Sequence, residues 1–141
     1  AAPGRVGCSG VELEADSREA LLRAVDGVPA GWRRLGSRMI ICQGPLKQPL
    51  QVDRRSVDAD MLDRVAALAE GAPVSLRVVS LARSAQAVAV GVLGAPSIGQ
   101  RNPHVAVAVA PDAAPWAAES AAEWVPWRGE ALVLHGKVVQ W

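Results

Sequence analysis

Residues 102–111 read Asn-Pro-His-Val-Ala-Val-Ala-Val-Ala-Pro, a run that is apolar throughout after His104 and closed at both ends by proline. An apolar stretch of this length between turn formers predicts a buried strand, His104–Ala110, with the histidine at its mouth. Its counterpart is Arg38-Met39-Ile40-Ile41-Cys42-Gln43, a short β-branched run that Gly44 and Pro45 stop, so a second central strand is expected there. Both strands start with a basic residue beside a loop. In each, residues one and three point to the same face, because side chains alternate along a strand.

Working outward, Val6–Leu13 alternates weakly and predicts a first strand. A helix follows, with Asp16 or Ser17 as its cap and Leu21, Leu22 and Val25 on one apolar face, ended by Gly27, Pro29 and Gly31. Residues 46–57 read as loop. Ala59–Glu70 carries Met61, Leu62, Val65, Leu68 and Ala69 at helical spacing and meets its stop at Gly71. The period then changes to two. Val74–Leu81 and Ala85–Leu93 flank a short turn at Ala82–Ser84 and predict an antiparallel hairpin. Residues 111–128 form a Trp- and Pro-bearing connection with a short helix around Ala117–Glu123, and Ala131–Gln140 is the last strand.

With 141 residues the chain suits one domain, 1–141, in which residues 1–5 are expected to be flexible. A chain of this size buries about two thirds of the surface it exposes when unfolded, so it needs no staples. Half the residues are hydrophobic, but no apolar run approaches the roughly 18–20 residues of a membrane span, and a soluble intracellular protein of the cytoplasm or an organelle matrix is expected. The start at Ala1, without a hydrophobic leader, suits either an excised domain or a mature product. Fifteen basic against fourteen acidic side chains leave no global field to draw in nucleic acid or an anionic membrane. Phe and Tyr are absent, so Leu, Val and Trp must fill the core. Cys8 and Cys42 lack metal-ligand spacing and are expected to be reduced core residues, and no metal or cofactor is expected.

The two basic-headed strands lie 66 residues apart (104 minus 38). In this the chain resembles the 2H phosphoesterases, which carry two His-hydrophobic-Thr/Ser-hydrophobic motifs at about that separation. The resemblance covers nearly the whole chain and is nearest to the branch related to the phosphodiesterase part of tRNA ligases. Val11-Glu12-Leu13 followed by Asp16-Ser17-Arg18 and Leu21-Leu22 is similar to that branch's opening, and Trp32 and Gly44-Pro45-Leu46 flank the first motif. Asn102-Pro103-His104 followed by Val109-Ala110-Pro111 resembles the surroundings of the second motif. Trp124-Val125-Pro126 followed by Leu134-His135-Gly136-Lys137-Val138 resembles the close.

The resemblance implies a two-lobed α+β fold, antiparallel sheets with flanking helices around a central cleft, and an RNA end carrying a 2′,3′-cyclic or related phosphate as ligand. In such enzymes two histidines exchange general acid and base roles, since one proton leaves the attacking hydroxyl while another reaches the leaving oxygen. Here the first histidine position is Arg38, a guanidinium that stays protonated and cannot act as a base. The hydroxyl positions are Ile40 and Ala106. One of the four expected groups, His104, remains, so the expectation is a non-catalytic module that binds RNA or phosphate or serves in an assembly.

Two alternatives stand beside it. One is an active cyclic phosphodiesterase in which His104 is catalytic and Arg38 shares the work; the other is a purely structural domain without ligand. His104 either contacts phosphate or bonds a loop at the strand edge, and Arg38 either binds an anion or pairs with a carboxylate. Arg33, Arg34, Arg38, Lys47, Arg54 and Arg55 face Asp53 alone in the segment 33–55, which makes either an RNA-binding rim or a solvated basic edge. Trp124 is expected inside, whereas Trp116, Trp127 and Trp141 sit beside prolines or at the chain end and are candidates for a protein interface. His135 reads as a surface strand residue.

Overall fold

The computed structural model describes residues 6–50, 59–98, 102–121 and 123–141. The flexibility expected of residues 1–5, and Asp53, Arg54 and Arg55, lie outside the described residues. The elements run β1 (Cys8–Leu13), α1 (Ala15–Ala24), β2 (Arg33–Arg34), β3 (Arg38–Gln43), α2 (Ala59–Ala66), β4 (Pro73–Arg83), β5 (Ala87–Leu93), β6 (His104–Val109), a 3-10 turn at Ala117–Ser120, β7 (Trp124–Pro126) and β8 (Val133–Gln140).

The fold is α+β, and its sheet closes on itself. Six strands pair antiparallel in the ring β1-β3-β6-β5-β4-β8, and β8 returns to β1. The described strands form one continuous antiparallel barrel, which β5 and β6 help to close by pairing along their length from Ala87↔Val109 to Gly91↔His104. Closure leaves these six strands without a free edge along the ring. The short β2 and β7 add to it from outside, on β6 and β4.

Alternation explains the core. Met39 and Ile41 of β3, Val105 and Val107 of β6, Leu76 of β4 and Leu134 of β8 are all fully buried, and Leu21 of α1 and Val65 of α2 join them. With no Phe or Tyr available, many medium-sized aliphatic side chains fill the space, each worth about 1.5–3 kcal/mol on full burial. A second, smaller cluster lies on the outer side of β5 and β6. There Ala87, Ala89 and Val109 are covered by Ala118, with Leu35, Ala106 and Trp124 packed against them. At Ala113, Ala117, Ala118 and Trp124 the connection thus lies over the outside of the barrel.

Several expected boundaries shift for identifiable reasons. α1 starts one residue before the expected caps, with Glu14 at its N-cap and no side-chain cap. Ser17 has been taken elsewhere: its hydroxyl accepts the His135 amide at 2.8 Å and ties the helix to β8. α2 ends at Ala66, since residues 67–72 turn to dock on β8, where the Gly71 amide donates to Val138 O at 2.7 Å and Val138 N to Ala72 O at 2.9 Å. Ala69, expected on the buried face, is accordingly exposed. The hairpin turn falls at residues 84–86 instead of 82–84. Ser84 Oγ there accepts both the Gln86 and Ala87 amides, at 3.2 and 3.0 Å. The helix expected at Ala117–Glu123 is a single 3-10 turn, and Trp124–Pro126, read as connection, pairs with Ser80–Ala82 of β4.

Candidate functional site

On the outer face of β1, β3 and β6 lies a groove of about 630 Å³, and all four motif positions line it: Arg38, Ile40, His104 and Ala106. The mechanism is register. Met39 pairs with Val105, so the outward residues on either side of each come together while Met39 and Val105 themselves enter the core. This is the juxtaposition expected from the matched strands.

Arg38 owes its place to an irregularity that no local pattern announces. Arg34 pairs with Ala108 and Met39 with Val105, so five steps on one chain face three on the other (39 minus 34 against 108 minus 105). Two extra residues must bulge. Gly36, at φ +66, supplies the turn, its amide and that of Leu35 donating to Ala106 O and Val107 O at 2.8 Å each. The bulge delivers Arg38 to the groove.

Arg38 has partners on two sides. Across the β1–β3 ladder its direct neighbour is Glu12, whose carboxylate lies 3.6 Å from Nη2, with both side chains 42% exposed. Its Cζ also sits 4.2 Å from the centroid of the Trp141 ring. That ring is seated by β1. Trp141 N donates to Cys8 O at 3.0 Å, Gly7 N and Cys8 N donate to Trp141 O at 2.7 and 3.0 Å, and a Cβ on Gly10 would come within 3.1 Å of the indole. Only glycine at position 10 leaves room for it.

His104 is partly buried. Its Nδ1 lies 2.8 Å from the Asn102 carbonyl oxygen, which can only accept, so Nδ1 carries a proton and the other ring nitrogen is left to act. The ring also packs against Trp124, with centroids 5.8 Å apart. Strand-edge anchoring of His104 is therefore realised, and it coexists with a place in the groove. Between Arg38 and His104 the floor is aliphatic, Ile40 and Ala106. Pro115, Trp116, Ala118 and Glu119 of the connection form the far wall, with Trp116 66% exposed.

Three of the expected anion-binding residues are not part of this assembly. Arg33 and Arg34 pair with Val109 and Ala108 beyond the bulge and do not line the groove; Arg33 Nη2 instead donates to Ala113 O at 2.8 Å. Lys47 lines a different hollow, beside Glu70 and Gln140. Runs of basic residues in sequence carry no information on which side of a bulge each one falls. Conversely, Cys8, Glu12, Trp116, Glu119 and Trp141 line the groove without having been singled out for it. Glu12 was legible as an outward residue of an alternating strand, but its pairing with Arg38 needs the register.

Both cysteines are free, and only Cys42 is the buried core thiol expected. Burial pushes its pKa up, against a lowering by the Ser9 hydrogen bond. Cys8 lies at the groove, on the opposite face of the ladder, since Cys8 pairs with Gln43 and Ser9 with Cys42. Trp127 and Trp141 are partly buried, and the exposed His135 shares a 3.0 Å hydrogen bond with Ser75 across β4 and β8. Among the described residues no group of three or more His, Cys, Asp or Glu side chains has metal-site geometry, and no helix is long and apolar enough to cross a membrane. Comparison with family models, with curated proteins and with solved structures finds no match.

Proposed function

We propose that this domain is a non-catalytic 2H phosphoesterase-like module whose groove holds a phosphate-bearing ligand, an RNA end terminating in a 2′,3′-cyclic phosphate being the representative case. The observation that carries the reading is the convergence of Arg38, Ile40, His104 and Ala106 on one groove from adjacent antiparallel strands. A two-lobed ancestry and a kinship with the phosphodiesterase part of tRNA ligases belong to the same proposal. So does service inside a larger intracellular assembly.

Chemistry argues for binding without turnover. In-line attack at phosphorus needs a base on one side and an acid on the other, and the groove keeps one of the two motif imidazoles. The hydroxyls that would orient phosphate oxygens are replaced by the aliphatic Ile40 and Ala106. Each missing acid or base removes roughly 10²- to 10⁴-fold in rate. Arg38 can still take a phosphate, because its contact with Glu12 is long and half exposed, and such pairs are worth about 0–1 kcal/mol. A guanidinium binds phosphate with two parallel hydrogen bonds, a stronger arrangement.

The test is a titration of the domain with short RNAs bearing a 2′,3′-cyclic phosphate, recording binding and hydrolysis together. Binding that weakens as salt rises, with no hydrolysis, is the expected result. Robust hydrolysis abolished by His104→Ala would install the enzyme instead, and absence of any binding would leave the structural alternative.

A further inference from the structure

The connection that walls the groove leaves a large indole in solvent on a backbone that is itself fixed. Trp116 lines the groove and is 66% exposed. On either side of it the Ala117 amide donates to Ala114 O and the Glu119 amide to Trp116 O, each at 3.0 Å. The 3-10 turn that follows, Ala117–Ser120, is pinned to β5 and β6 by Ala118, which is 1% exposed among Ala87, Ala89 and Val109. Trp116 is thus anchored through its main chain while most of its ring surface is unused by folding. An indole has two side-chain torsions, so one presented in this way loses little freedom when a ligand covers it.

We infer that the groove takes a whole nucleotide, with Trp116 as the platform on which the nucleobase of the RNA end stacks. This rests on the proposed seating of the phosphate by Arg38 and His104. At about 630 Å³ the groove falls in the range of sites that enclose a complete small molecule, roughly 300–1,000 Å³, and a phosphate alone fills a small part of it. Its lining divides by chemistry. Arg38 and His104 offer charge and hydrogen bonds, whereas Ile40, Ala106, Pro115 and Trp116 offer apolar surface that suits the flat face of a base and cannot bond phosphate oxygens. The Trp141 ring is already engaged by the Arg38 guanidinium and is partly buried, so Trp116 is the indole with the larger open surface. A cation and an open aromatic ring in one groove are the pairing by which proteins hold single-stranded nucleic acid, which favours a nucleotide over a protein segment as occupant. Stacking uses the π-face that every base has. Recognition is therefore tolerant of sequence, with purines ahead of pyrimidines because they stack more strongly.

Calorimetric titration of the whole 141-residue chain with the 2′,3′-cyclic monophosphates of adenosine, guanosine, cytidine and uridine, and with base-free 1-O-methylribose 2′,3′-cyclic phosphate, tests the inference. The unmodified chain binds all four nucleotides roughly tenfold or more tighter than the base-free ligand, the scale of one stacked base. Trp116→Ala collapses that ratio, and Trp116→Phe, which keeps an aromatic face, retains most of it. Arg38→Met weakens the base-free ligand and the nucleotides alike. The base-free ligand keeps the two readings apart. If it binds through Arg38 but the nucleotides bind no tighter, the phosphate seat stands and the platform is overturned. If the nucleotides do bind tighter and Trp116→Ala leaves their margin intact, the platform is again overturned and Trp116 returns to the protein interface. If Arg38→Met alters no affinity, or no ligand binds, the seat itself falls and the platform with it.

Discussion

The guanidinium carbon of Arg38 lies 4.2 Å from the centroid of the Trp141 ring, a stack that joins the middle of the chain to its last residue. A cation over a partly exposed indole contributes about 0.5–1 kcal/mol. The half-exposed pair with Glu12 adds about 0–1 kcal/mol. Arg38→Ala should therefore cost about 1 kcal/mol and lower the melting temperature by about 3–5 °C. Thermal unfolding with tryptophan emission measures both the shift and the loss of the stack; an unchanged emission spectrum would contradict the stacking.

Gly10 should be harder to replace than its small size suggests. A Cβ there would run into the Met39 carbonyl oxygen and come within 3.1 Å of the Trp141 indole. Neither neighbour yields easily, since Met39 lies in the β1–β3 ladder and Trp141 is fastened to Cys8. Gly10→Ala is expected to lose about 1–3 kcal/mol in urea unfolding, the cost of overpacking. A neutral result would mean that the indole is free to move aside.

Restoring the motif groups tests whether the groove is a silenced site. Arg38→His, Ile40→Thr and Ala106→Thr all change residues that line it. Groups that act as a unit show non-additive effects, so each single change should give under tenfold in 2′,3′-cyclic phosphate hydrolysis and the triple variant about 10²-fold or more above the parent. A triple variant no better than its best single member would show that the scaffold no longer places these groups for in-line attack.

The two thiols should separate by reactivity. Burial, the largest influence on Cys42, raises its pKa above the ordinary 9.0, while Cys8 is partly exposed at the groove. Iodoacetamide at pH 8, followed by peptide mapping, should label Cys8 first and leave Cys42 until the fold opens. The sign of the pH effect follows from the raised value. The folded state holds the Cys42 proton to higher pH than the unfolded chain, so the stability this contributes is present below the unfolded pKa and declines as pH rises past it. Cys42→Ala should flatten that alkaline decline in urea unfolding.

Trp116, at 66% exposure, should supply the largest share of collisional quenching by acrylamide. Trp116→Ala is expected to change stability by less than about 0.5 kcal/mol, as for a surface site, and to remove most of the accessible fluorescence. If a protein partner covers the groove rim, that fraction disappears in the complex; quenching that survives Trp116→Ala intact would place the exposed indole elsewhere.

Much of the fold was legible from local pattern. The β-branched run at Arg38–Gln43, the apolar run after His104 and the period-two hairpin around residue 84 all became strands close to where alternation placed them. Alternation also sufficed to put Arg38 with Ile40 and His104 with Ala106 on common faces, because the direction of a strand side chain depends on the parity of its position. The elements that escaped were those without periodicity. Arg33–Arg34 and Trp124–Pro126 are two and three residues long and exist as strands because a long partner is already present to pair with.

What decided the site lies between strands, where parity has no reach. Closure of the ring through β5 and β6, and the two-residue bulge before Met39, depend on contacts distant in the chain. They determine that Arg38 faces the groove while Arg33 and Arg34 do not, that Glu12 rather than solvent meets its guanidinium, and that Trp141 lies beneath it. Composition and alternation set which residues leave the core. The neighbour that each then meets is set by register, a collective property of the closed sheet in which moving one strand by a single residue exchanges its inward and outward side chains.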